Sequence, residues 1–163
     1  MNVHMTERLK MKTNVMRLLD AKKIPYVGHE YEQDPSMTGA EIASILGEEA
    51  SCVFKTLVTV GASKQHYVFV IPVEAELDLK KAAKAAGEKA ISMIKQKELL
   101  PLTGYVHGGC SPIGMKKAFP TFLHESAEGL EHIYVSAGRL GHQIEIAPAD
   151  LMKMVGCQLA ELV

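Results

Sequence analysis

Residues 52–73 read "CVFKTLVTVGASKQHYVFVIPV". Two runs rich in Val, Phe, Thr and Tyr flank "GASKQ", whose glycine and small polar residues suit a turn; the stretch predicts a strand over 52–60, a turn, and a hairpin partner in "HYVFVIPV". One residue is out of character. Lys55 sits among apolar neighbours, where a buried unpaired ammonium is costly. Either its stem snorkels to water from the start of the strand, or the ammonium is aimed into a pocket that holds an anionic or carbonyl ligand.

Outward from the hairpin the chain alternates short helices and strands. "TNVMRLLDAKK" places Val15, Leu18 and Leu19 at helical spacing, and Ile24-Pro25 ends that helix. "PYVGHEYE" reads as extended. "MTGAEIASILG" is a helix with Thr38 and Glu41 at capping-box spacing and Gly47 as its stop. Beyond the hairpin, "DLKKAAKAAG" is a helix capped by Asp78 and stopped by Gly87, "KAISMI" a short strand, and "KQKELLPLTG" a helix expected to break at Pro101. Strands follow in "FPTFLHE", "EHIYVSA" and "HQIEIA", and Pro148 opens a last helix, "PADLMKMVG". Hairpins and isolated helices outnumber repeated βαβ units, which predicts an α+β fold on a mixed sheet. The expected organisation is a flexible tail over residues 1–11 and a single domain over 12–163.

The chain of 163 residues is 47% hydrophobic and 23% charged, the balance of a globular protein with a core. A net charge of -1 excludes a general nucleic-acid coat but leaves room for a local basic patch, for which Lys80, Lys81, Lys84, Lys89, Lys95 and Lys97 are candidates. No apolar run reaches the roughly 18–20 residues that span a bilayer. Cys52, Cys110 and Cys157 are too few and scattered for a disulfide framework, so a reducing cytoplasm is the expected setting.

Most of the candidate chemistry lies in residues 104–117, "GYVHGGCSPIGMKK". Gly108, Gly109 and Gly114 permit backbone conformations closed to other residues, and successive amides can then cradle a phosphate or a developing oxyanion. The alternative is a plain glycine–proline turn. The spacing is not that of a Walker loop. Nor does it match G-x-S-x-G, since Pro112 removes the amide that would follow a nucleophilic Ser111. Cys110 has His107 three residues away, which on a loop does not make a Cys–His pair. The seven histidines form no HExxH and the cysteines no CxxC, so no metal site is expected. In "VSAGRLGHQIEIAPADL" (135–151), Ser136, Gly138 and Arg139 sit in a turn between strands, either a hairpin loop or a second wall of the same pocket.

Taken in order, "IPYVGHEYE", "FKTLV", "LDLKKAAKAAG", "TGYVHGGCSPIGMKK" and "IYVSAGRLGHQIEIAPADL" resemble the YbaK/EbsC family over residues 13–160, with GGxSPxG and VSxGxxG…EIxPxDL the most specific motifs. The resemblance implies a fold like the prolyl-tRNA synthetase editing domain, a mixed, partly barrel-like sheet with surrounding helices. It implies a hydrolase without cofactor or metal, of the YbaK type, that clears tRNA(Pro) mischarged with cysteine, with Cys-tRNA(Cys) as a further candidate substrate. It also implies two partners, the tRNA(Pro) 3′ end and prolyl-tRNA synthetase. The family's lysine in FKT falls on Lys55, beside Thr56. Its pocket tyrosine falls on Tyr31, its paired glycines on Gly108 and Gly109, its Ser-Pro on Ser111 and Pro112, and its VSxG serine on Ser136, followed by Gly138 and Arg139. Cys110 occupies the variable position of GGxSPxG. The family's mechanism gives the nucleophile to the substrate: the cysteinyl thiol attacks its own carbonyl and the ribose leaves. Lys55 and the amides of Gly108 and Gly109 then carry catalysis, and the remaining residues bind substrate. Two other readings stay open: an alanyl- or broad-specificity deacylase of the same fold, and a non-catalytic module that binds tRNA 3′ ends or a synthetase.

Overall fold

The computed structural model describes residues 12–163 except 33 and 35. The expected tail over 1–11 lies outside the described residues. The hairpin at 52–73 is the centre of the molecule: β2 (Phe54–Gly61) pairs antiparallel with β3 (His66–Pro72), setting Lys55 opposite Ile71. β3 is apolar at nearly every position because both of its faces are covered. Tyr67, Phe69 and Ile71 point to one side, where α3 (Leu79–Ala86) packs with Ala82 and Ala83; Val68 and Val70 point into the main core with Val15, Leu19 and Leu123. The small alanines let α3 approach the sheet closely.

The five-stranded sheet has the order β4-β2-β3-β5-β8, with β4 at Ile91–Met93, β5 at Thr121–His124 and β8 at Gln158–Ala160. It is mixed: β4–β2 and β2–β3 are antiparallel, while β3–β5 and β5–β8 are parallel. A second, three-stranded sheet is antiparallel in the order β1-β7-β6, from β1 (Val27–Glu30), β6 (Ile133–Ser136) and β7 (His142–Ile146). The sheets meet through one parallel bridge, Val53 to Tyr134, and no closed barrel forms among the described residues. The α+β expectation therefore holds.

Capping chemistry fixes most helix ends. In α1 (Asn14–Ala21), Thr13 accepts from the Met16 N–H, and Val15 and Leu19 enter the core. In α2 (Gly39–Leu46), Thr38 accepts from the Glu41 N–H, and Gly47 closes the helix at φ 70°. Asp78 accepts from the Lys80 and Lys81 N–H groups at the start of α3. Replacing it with alanine leaves both donors unpaired. Asp78→Ala is expected to cost about 1 kcal/mol, seen in a thermal melt as a Tm lowered by about 2–4 °C. α5 (Pro148–Val155) starts on its proline, as expected.

Two sequence expectations give way. α4 runs through Pro101, from Gln96 to Thr103. In so short a helix proline removes only one ladder bond, that to the Lys97 carbonyl, and the Thr103 hydroxyl separately donates to the Leu99 carbonyl at 2.7 Å in the last turn. β8 was not expected at all. Its three residues carry little local signal, and only the parallel pairing to β5 makes them a strand. The adjoining chain is clasped by the Leu162 N–H, which donates to His124 Nδ1 at 3.2 Å, and by the Leu162 carbonyl, which accepts from the Asp78 N–H at 2.8 Å.

Candidate active site

β4 pairs with β2 only over Thr59–Gly61, so the first half of β2 faces the three-stranded sheet across a seam. A cavity of about 440 Å³ occupies that seam. Its walls come from β2 (Phe54 to Leu57), from the start of α2 (Thr38, Gly39, Ile42), from Leu99 of α4, from the glycine loop (His107, Gly108, Cys110), and from Tyr31, Ser136 and Gln143 beside the second sheet. Of the residues expected at the site, the fold thus gathers Tyr31, Lys55, Thr56, Gly108 and Ser136 around one space.

Lys55 is half-buried on the seam side of β2 and has no carboxylate partner among the described residues. The Oγ1 of neighbouring Thr56 is buried without a hydrogen-bond partner. Tyr31 is set by its N–H, which donates to the Gly141 carbonyl at 2.9 Å and continues the β1–β7 ladder. Burial pushes its phenol pKa up, so it is a neutral hydroxyl at ordinary pH. The Ser136 Oγ accepts from the Gly138 N–H at 3.3 Å, turning the chain out of β6.

The glycine loop divides its residues between the cavity and the scaffold. Gly108 lines the cavity at φ 86°, and its N–H makes no backbone hydrogen bond among the described residues. The Gly109 N–H is engaged instead, donating to the Val106 carbonyl at 3.0 Å, and a Cβ there would stand 3.2 Å from the Leu140 nitrogen. The paired glycines thus differ: the Gly108 amide has no backbone partner among the described residues, and Gly109 is a close approach that seats the loop on residues 139–140. Ser111 is fully buried, and its Oγ accepts from the Ile113 N–H at 3.2 Å. Pro112 lines a separate cavity of about 160 Å³ with Phe119 and Met154. Gly138 packs beneath Tyr105, where a Cβ would come within 2.9 Å of the ring, and the Arg139 side chain is exposed outside the cavity lining.

Cys110 touches the cavity, but burial pushes its thiol up to about 12. Such a thiol stays protonated at neutral pH and is a poor nucleophile. His107 also lines the cavity, and no hydrogen bond joins it to Cys110 among the described residues.

Sequence reasoning missed Gln143. It is 5% exposed, it lines the cavity, and its Oε1 has no partner. The signal was present in "HQIEI": Ile144 and Ile146 face the core, so Gln143 and Glu145 share the opposite face with Ser136 and Tyr134 of β6.

The seam cavity thus brings a lysine, a glycine amide without a backbone partner among the described residues and several hydroxyl groups to one space on an α+β scaffold. The sequence pattern of the aminoacyl-tRNA editing domain family matches residues 33–154, and the chain belongs to that family. It is 47% identical, over 96% of both chains, to EbsC of Enterococcus faecalis, which is named as a candidate Cys-tRNA(Pro)/Cys-tRNA(Cys) deacylase. A proline–tRNA ligase of Shouchella clausii is 28% identical over 66% of this chain, a match spanning 19% of the ligase. Among solved structures, one described as a candidate trans-editing enzyme for prolyl tRNA synthetase superposes with a TM-score of 0.79 at 26% identity, covering 93% of this chain and 98% of that one. The hypothetical protein APE2540 shares the fold, with a TM-score of 0.84 at 23% identity, covering 92% of this chain and 99% of that one.

Proposed function

We propose that this protein is a trans-editing deacylase that hydrolyses the ester of cysteine mischarged on tRNA(Pro), and also acts on Cys-tRNA(Cys). The reading rests above all on the pairing of an unpartnered Lys55 with the Gly108 amide in one cavity whose own cysteine is held as an unreactive thiol. An aminoacyl ester is already activated, so its cleavage asks for positioning and charge stabilisation more than for a strong base. The substrate thiol, with an ordinary pKa near 8.5, is partly thiolate at neutrality. Its sulfur bonds to the ester carbonyl carbon, the C–O bond to the ribose breaks, and the ribose oxygen takes up a proton. The resulting cyclic thioester then adds water to give free cysteine. Gly108 donates to the carbonyl oxygen as it gains charge, Lys55 supplies a cation beside it, and Tyr31, Thr56 and Ser136 hydrogen-bond the aminoacyl group and terminal ribose. Gly109, Ser111, Pro112, Gly138 and Arg139 serve the site by shaping the loops around it.

The likeness to editing proteins named with prolyl-tRNA synthetase supports that enzyme as a partner and the cytoplasm as the place of action. No helix among the described residues is long and apolar enough to cross a membrane. The test is single-turnover deacylation of Cys-tRNA(Pro) beside Ala-tRNA(Pro), under reducing conditions without added metal. Rapid loss of cysteine alone is expected, and Cys110→Ala should retain that activity within a few-fold. Rapid loss of alanine would overturn the substrate-thiol mechanism. A folded but inactive Cys110→Ala would return the nucleophile to the protein.

A further inference from the structure

The three-stranded sheet presents an apolar face to the core and a polar face to the seam. On the polar face His29, Gln143 and Ser136 form one cross-strand row, and Val27, Glu145 and Tyr134 the next. Glu145 is occupied: it lies 2.8 Å from His29 Nε2 and 3.3 Å from His132 Nε2. A second carboxylate, Glu48, approaches the same face from the end of α2. Its backbone is fixed there, because Gly47 adopts the left-handed conformation and the Glu48 N–H donates to the Ala43 carbonyl at 2.8 Å.

Glu48 is poorly provided for. Both of its carboxylate oxygens are buried without a hydrogen-bond partner, and it forms no ion pair among the described residues. Desolvation raises its pKa; the nearby Gln143 amide and His29 ring oppose that shift, and the neighbouring Glu145 adds to it. The groups near the carboxylate that favour its charge are the Gln143 side-chain amide and the His29 ring. The Gln143 side chain also lines the cavity, and its Oε1 is buried without a partner. An acceptor buried in this way costs free energy unless a ligand donates to it.

We propose that Gln143, positioned by Glu48, accepts a hydrogen bond from the free α-ammonium of the bound aminoacyl ester, so that N-acylated aminoacyl esters are refused. The inference rests on the deacylase reading. Among the donors such an ester brings, a thiol donates weakly and a ribose hydroxyl gains nothing from charge. An ammonium is drawn to the end of the cavity backed by Glu48 and away from Lys55 at the other wall. The buried Thr56 Oγ1 offers a further acceptor in the same lining. Binding the ammonium there turns the carbonyl towards Lys55 and Gly108. Intramolecular attack by the thiol does not involve the amine, so discrimination against N-acylation has to come from the pocket.

The test compares kcat/KM for Cys-tRNA(Pro) and N-acetyl-Cys-tRNA(Pro), each normalised to the spontaneous hydrolysis of the same ester. The protein should prefer the free amine by about 100-fold or more, since a buried acceptor left without its donor is strongly rejecting. Gln143→Leu should reduce that preference to a few-fold, mainly through KM for the free amine. Glu48→Gln keeps the shape and removes the charge; it should lower the preference about 10-fold, through a larger loss on the free-amine ester than on the N-acetyl ester. A purely structural role would change both esters alike. Equal normalised rates on the two esters overturn the inference, as does a Gln143→Leu variant that keeps the preference. Failure to cleave the free-amine ester at all overturns the deacylase reading, and this inference with it.

Discussion

Lys55→Ala is expected to lower kcat/KM for the cysteinyl ester by about 100-fold or more while leaving Tm nearly unchanged. The β2–β3 pairing at Lys55 and Ile71 is made by main chain, so the substitution removes no ladder hydrogen bond. The ammonium has no carboxylate partner among the described residues, so its loss strands no opposite charge. In the proposed mechanism, what disappears is the cation beside the carbonyl oxygen. Lys55→Met separates charge from bulk and should be as inactive as the alanine variant. Lys55→Arg should recover only part of the rate, because a planar fork does not place its charge where an ammonium does. Normal deacylation by a folded Lys55→Ala protein would remove the lysine from the mechanism.

Gly108→Ala should have the next largest effect, a fall in kcat of about 10–100-fold with a modest loss of stability. Two features act together. The residue sits at φ 86°, where an L-residue costs roughly 1–2 kcal/mol. The new methyl would stand 3.0 Å from Leu140 Cδ2. That contact is the end of a flexible side chain and can yield, so the protein should still fold. The strain is then relieved by a shift of the loop that carries the amide off its target. Gly129→Ala is the control: no atom lies near its would-be Cβ and its φ is not positive, so it should be neutral. Equal effects of the two substitutions on kcat would mean that Gly108 contributes nothing particular to the site.

What could be read from the sequence was whatever is decided locally. The hairpin at 52–73 follows from its strand-forming runs, and α2 and α3 from caps and stops written within ten residues of one another. Lys55 was conspicuous because its neighbours are apolar. The rest depends on packing between distant segments. β8 is a strand because β5 lies beside it, and α4 runs on through Pro101 into a last turn in which the Thr103 hydroxyl donates to the Leu99 carbonyl. Within "GGCSPIG" the residue types suggested a cradle, but they do not say which way the turn faces. The fold buries the Ser111 hydroxyl against its own backbone and ties the Gly109 amide to Val106, leaving Gly108 towards the cavity. Gln143 stands out only once the fold sets it in the cavity wall near Glu48, ninety-five positions away in the chain.

The bridge between Val53 and Tyr134 is a slender join for two sheets that share one cavity. It makes the molecule two half-sites. The half built on β2 carries the cation and is locked into the core on both faces of β3. The half built on β6 and β7 carries the acceptor. Substitutions on the second half can change which acyl group is admitted without disturbing the strand that holds the cation. Under the proposed roles, a scaffold divided in this way lets selectivity drift during divergence while the cation on β2 stays fixed, and an engineer seeking a new acyl preference would begin with the polar faces of β6 and β7.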